Sequence, residues 1–126
     1  MAILNSCNLI AFVGTSDMNR AKAFYGDRLG LTVVSEDGFA LVLDAHGTMV
    51  RVTLVSDVRV APYTVLGWGV VEIAACVTEL KEAGVMMERF AGIEQDELGI
   101  WTAPGGGARV AWFKDPDGNL LSVSQH

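Results

Sequence analysis

The chain has 126 residues, 51% of them hydrophobic and 19% charged, with a formal net charge of −6. That length suits one domain able to bury its own core, and the composition excludes a disordered chain. The acidic balance argues against a nucleic-acid or anionic-membrane partner, because both need a basic patch.

Residues Met1–Ala11 carry no basic stretch followed by a long apolar run, and nowhere does the chain reach the roughly 20 apolar residues of a membrane span. A cytoplasmic protein with no membrane partner is expected. Cys7 and Cys76 stand alone, without a CxxC or Cys/His cluster. Two free, half-buried thiols are the expectation, with a bridge between them left as the alternative.

The first half opens on a strand pattern at Asn8–Thr15. Ser16 or Asp17 then offers a helix N-cap, and Met18, Ala21, Phe24, Tyr25 and Leu29 recur at helical spacing up to Gly30. Strand-like runs follow at Leu31–Ser35, Phe39–Leu43 and Met49–Val55, divided by turns at Asp37-Gly38 and His46-Gly47. Residues 56–63, with Pro62, read as a connector.

The second half repeats that order. A strand pattern at Thr64–Val70 leads into a helix with Ile73, Val77 and Leu80 on its apolar face and Gly84 as its stop. Strand patterns then follow at Val85–Phe90, Ile100–Ala103, Ala108–Phe113 and Leu120–Ser124. Asp44-Ala45-His46-Gly47 matches Asp115-Pro116-Asp117-Gly118, and Leu29-Gly30-Leu31 matches Ala83-Gly84-Val85. The fold class is therefore α+β, with two βαβββ repeats over about 1–56 and 63–126 in a single domain spanning 1–126.

Taken together, Ser16-Asp17-Met18, Ala23-Phe24-Tyr25, Leu29-Gly30-Leu31, Leu80-Lys81-Glu82-Ala83-Gly84-Val85 and Phe113-Lys114-Asp115-Pro116-Asp117-Gly118-Asn119 resemble the vicinal oxygen chelate superfamily. That group includes glyoxalase I, extradiol dioxygenases, methylmalonyl-CoA epimerase and antibiotic-resistance proteins. The resemblance implies that the bare sheet faces of the two repeats pair into one curved-sheet cleft that holds a small-molecule ligand. It also implies a homodimer.

In relatives that use a metal, the resemblance places ligands on the first and last strand of each repeat. Those positions fall here on Ile10, Arg51, Val65 and Ser122, with no better donors one residue to either side. Two hydrocarbons, a permanent cation and a hydroxyl do not make a divalent-metal site. No cofactor and no metal are expected.

Strand alternation places Met49, Arg51 and Thr53 on one face with Ile10, Phe12 and Gly14. Val65, Gly67, Gly69, Leu120, Ser122 and Ser124 share the corresponding face of the second repeat. Arg51 is the leading ligand anchor, for a carboxylate, phosphate or enolate. The alternative is an arginine paired with Glu88 or Asp96.

The spacing from Asp44 to Asp115 exceeds that from Gly30 to Gly84 by about 17 residues, which places an insertion within 91–107. With its acids, Trp101 and glycine run, that segment is either a lid or rim over the ligand or a solvated turn with an edge hairpin. Candidate ligand-binding residues are Arg51, Met49, Phe12, Trp101, Trp112, Ser122, Tyr63, Gln95 and Glu97, whereas Trp68 is expected to pack on the second helix.

The function so indicated is metal-independent binding of a small molecule, in the manner of drug or metabolite sequestration. Two alternatives stand beside it. One is a lyase- or isomerase-type enzyme using Arg51 and an acid from 94–97; the other is a metal-dependent glyoxalase or dioxygenase whose ligands lie elsewhere.

Overall fold

The computed structural model describes residues 3–126. Met1 and Ala2, at the head of the segment read for a targeting signal, lie outside the described residues. The chain divides into two compact units between Arg59 and Val60, inside the expected connector.

The first unit contains β1 (Ile10–Thr15), α1 (Met18–Lys22), a π-helical segment (Ala23–Arg28), β2 (Thr32–Glu36), β3 (Ala40–Ala45) and β4 (Thr48–Leu54). Its sheet has the order β1-β4-β3-β2, with β1 parallel to β4 and the other pairs antiparallel. Asp17 caps α1 by accepting from the Arg20 amide at 3.1 Å, as an N-cap aspartate should.

The single helix expected up to Leu29 instead widens after Lys22, where the Leu29 amide bonds to the Phe24 carbonyl. The adjacent Phe24 and Tyr25 both reach the core, with their rings edge to face at 5.0 Å. They are buried along with Val13, Leu41, Leu43, Val50 and Val52 of this unit. At the β3–β4 hairpin, His46 and Gly47 both have positive φ, the geometry that matches strand twist in a two-residue loop. Asp44 accepts from the Gly47 amide there.

The second unit contains β5 (Leu66–Gly69), α2 (Ile73–Glu82), β6 (Trp101–Thr102), β7 (Arg109–Lys114) and β8 (Leu120–Gln125), in the sheet order β5-β8-β7-β6. Again the first and last strands are parallel and the remaining pairs antiparallel. Helix α2 ends in a Schellman motif, in which the Val85 amide reaches the Leu80 carbonyl and the Gly84 amide that of Lys81. Gly84 takes φ 89°, where a side chain would be strained.

One expectation needs correcting. Val85–Phe90 is not a continuous strand: it contributes one isolated bridge, Met87 to Phe113, and one bond from the Glu88 amide to the Trp112 carbonyl. The edge position is then taken up again by Trp101 and Thr102, opposite Val110 and Arg109. The insertion therefore interrupts the edge strand itself. Its residues fold against one another because an edge strand has only one neighbour to hold it.

Both units share a design. In each, one sheet face packs on the unit's own helical segment and buries the apolar residues of alternate positions. The other face carries Phe12, Met49 and Arg51 in the first unit and Trp101, Trp112 and Ser122 in the second.

Candidate functional site

In the first unit, pairing across three strands sets Phe12, Arg51 and Val42 side by side, and Ile10, Met49 and Asp44 in the adjacent row. Partners in register point to the same side of a sheet, so these six share the face away from the helix. Phe12 is 62% exposed, whereas Val50 and Val52, on the helix side, are buried. A concavity of about 280 Å³ lies on this face near the chain start, lined by Ile10, Val34, Val42, Asp44 and Met49 among others.

Arg51 is half-buried and, among the described residues, makes no ion pair. Its electrostatic neighbour is Asp37. The amides of Phe39 and Ala40, at 2.7 and 2.9 Å, hold the Asp37 carboxyl below the usual aspartate range, and the Arg51 guanidinium adds to that. The acids considered as partners for Arg51 are engaged elsewhere. Glu88 lies 3.6 Å from Lys114, and Asp96 accepts from the amides of Leu98 and Ile100.

In the second unit the helix side holds Phe113, Leu121, Val123 and Ala111, all buried. Trp68 lies on that side and stacks on Phe113 at 6.4 Å. The opposite face carries Gly67, Ser122 and Trp112 in one row, then Gly69, Ser124, Val110 and Trp101 in the next. Trp101 and Trp112 sit 6.1 Å apart with planes inclined at 41°, and Phe90 meets Trp112 edge-on at 5.5 Å. Phe90 was not singled out from the sequence, because only the closure of the insertion brings it to this cluster.

The remaining candidates separate. Ser122 is buried beside Gly67, where an added Cβ would lie 3.0 Å from the Ser122 hydroxyl. Tyr63 is 66% exposed on the segment before β5. Gln95 spends its side-chain amide on the backbone of Glu88, Phe90 and Gly99. Glu97 lines a different concavity of about 330 Å³, with Val77 and Lys81 of α2 and with Met87 and Arg89.

The pairing also sharpens the metal question. Beside Arg51 stands Phe12, and beside Ser122 stands Gly67, two residues along from Ile10 and Val65. A phenyl ring, a guanidinium, a hydroxyl and a bare backbone supply no set of oxygen and nitrogen donors that would hold a divalent ion. These residues do not fit the metal that the resemblance would place there. Among the described residues, no three His, Cys, Asp or Glu side chains cluster as metal ligands. No helix among them is long and apolar enough to cross a membrane.

The sequence pattern of the Glyoxalase/Bleomycin resistance protein/Dioxygenase superfamily matches residues 4–123. The chain belongs to that superfamily. No curated protein matches its sequence significantly.

Solved structures share the fold at low identity. TnmS3, an antibiotic binding protein from Streptomyces sp. CB03234, is 22% identical with a TM-score of 0.74, over 98% of each chain. A superfamily member from Sphaerobacter thermophilus is 22% identical with a TM-score of 0.71, over 96% of this chain and 98% of that one. A glyoxalase family protein from Enterococcus faecalis is 18% identical with a TM-score of 0.72, over 98% and 99%.

Proposed function

We propose that this protein binds a small organic molecule without a metal, and that the ligand is anionic or amphoteric. The observation that carries the reading is Arg51, a cation without an ion-pair partner among the described residues, set between Phe12 and Val42 on a sheet face that also carries Ile10, Met49 and Asp44, the last bonded to the Gly47 amide. An apolar wall with one strong polar anchor is the usual composition of a small-molecule site. A guanidinium offers a carboxylate or phosphate two parallel hydrogen bonds. The antibiotic binding protein TnmS3, which shares this fold, supports sequestration as the biological setting.

Catalysis with an acid from 94–97 has less support. Asp96 is committed to two backbone amides, Glu97 lines the concavity beside α2, and Glu94 is exposed in a separate hollow with Gly92 and Pro104.

The test is a calorimetric screen of anionic and amphoteric aromatic compounds against protein treated with a chelator. Binding that survives chelation, is weakened in Arg51→Ala and returns the compound unaltered after hours supports the reading. Conversion of the compound, or binding that requires an added divalent metal, would overturn it. A homodimer is part of the proposal, and light scattering showing only 13.5 kDa particles would contradict it.

A further inference from the structure

We infer that the insertion of the second unit builds a stacking ledge for a flat aromatic ring, and that Gln95 is the positioning residue holding it. The inference rests on the small-molecule-binding reading and names the ligand class for this unit's sheet face. The ledge consists of Phe90, Trp101 and Trp112. These rings lie on the face opposite the core, and Phe90 remains 37% exposed while Phe113 and Leu121 on the other face are fully buried. Packing of the core therefore does not explain them.

The face in front of the ledge is low at its β5 end and carries small side chains between there and the tryptophans. Gly67 and Gly69 on β5 lie in the same rows as Trp112 and Trp101, so no side chain rises at that end. A Cβ at Gly69 would meet open space, whereas one at Gly67 would crowd the Ser122 hydroxyl. Along this floor Ser122 stands between Gly67 and Trp112, and Ser124 and Val110 stand between Gly69 and Trp101; the Ser124 hydroxyl, 3.1 Å from the His126 ring nitrogen, is the more accessible of the two. A planar ring system fits such a surface. It lies on the floor, meets the inclined faces of Trp101 and Trp112, and directs edge substituents at the hydroxyls.

The ledge exists only if two ends of a loop are held together. Phe90 comes from the segment entering the insertion and Trp101 from the one leaving it. Sheet pairing there is minimal: one bridge at Met87 and two residues of β6. The Gln95 amide closes the gap. Its Nε2 donates to the carbonyls of Glu88 at 3.0 Å and Gly99 at 2.8 Å, while its Oε1 accepts from the Phe90 amide at 2.8 Å. One donor and two acceptors among these partners fix the orientation of the amide. Gln95 also bridges Trp101 through the backbone, and Arg89 donates to the carbonyls of Asp96 and Glu97. The loop is thus internally bonded around the residue that sets both aromatic side chains.

The experiment uses the full chain and anthracene-2-carboxylate as probe, with cyclohexanecarboxylate as the non-planar control. Wild type should bind the anthracene at least about tenfold more tightly than the control, from stacking and buried aromatic area. Trp112→Leu should remove that preference. Gln95→Ala should weaken anthracene binding about tenfold and alter the near-ultraviolet circular dichroism of the Trp101–Trp112 pair.

Gln95→Glu supplies a readout that general destabilisation would not reproduce. At pH 8 its carboxylate faces two carbonyls with no proton to donate, so affinity is low. Toward pH 5 the acid regains one donor and affinity recovers relative to wild type. Anthracene bound equally well by wild type, Trp112→Leu and the two Gln95 variants would overturn the inference while leaving a small-molecule binder intact. Failure of every aromatic and aliphatic probe to bind wild type would overturn both.

Discussion

The side-chain Oε1 of Gln125, near the end of the chain, accepts a hydrogen bond from the backbone amide of Ile73 at 2.9 Å. Ile73 is the first residue of α2, and the preceding Glu72 makes no side-chain capping bond. The last strand of the second unit therefore caps its helix from a distance of 52 residues along the chain. Sheet and helix are coupled by that bond as well as by apolar packing.

Gln125→Ala should cost about 0.5–2 kcal/mol, the usual range for losing an N-cap acceptor. Urea unfolding checks this, with the loss appearing in the midpoint and the slope unchanged. Gln125→Glu, which retains the acceptor, should recover most of it.

Asp115 is buried, and its carboxylate accepts from the amides of Asp117 and Asn119 and from the Asn119 side chain at 2.8 Å. Asp115→Ala leaves all three donors without it, at about 1–3 kcal/mol for each one left unsatisfied and more for a charged group. Thermal unfolding should show a larger loss here than in Asp44→Ala, whose carboxylate receives one exposed amide.

Asp37 has its carboxyl held low in the folded state by the amides of Phe39 and Ala40, with Arg51 assisting. A folded-state value below the unfolded one contributes stability above the unfolded titration, and that contribution is lost as pH falls through the folded one. Carboxyl NMR should place its titration midpoint below the ordinary aspartate value, and Arg51→Ala should raise it. An unchanged midpoint in that variant would remove the electrostatic link between the two residues.

Cys7 is exposed and Cys76 half-buried on α2; both thiols are free, and the expectation of two half-buried ones is corrected for Cys7. Burial pushes the Cys76 thiol up, and Glu79 one turn along adds to it. Since the thiolate is the reacting form, iodoacetamide at pH 8 should label Cys7 first. Mass spectrometry after partial labelling should find the adduct on the peptide containing Cys7. Preferential labelling of Cys76 would contradict the burial argument.

Local rules made much of the fold legible. Asp17 as a cap, Gly30 and Gly84 as left-handed stops, the His46-Gly47 hairpin and the alternation around Arg51 and Ser122 each depend on neighbours a few residues away. So does the repeat, because two similar halves carry the same caps and turns in the same order. What tertiary structure decided involves partners that pattern cannot pair. The π-helical widening that seats both Phe24 and Tyr25, the split of the edge strand at Met87 and Trp101, and the meeting of Phe90 with Trp112 all depend on how segments close in space. A glutamine in an acidic loop reads as a ligand contact or as nothing. Only with Glu88, Phe90 and Gly99 brought within 3.0 Å does Gln95 become the fastening of that loop. Hydrogen bonds over such distances are selected by the closed backbone, and the residue types alone leave many partners open.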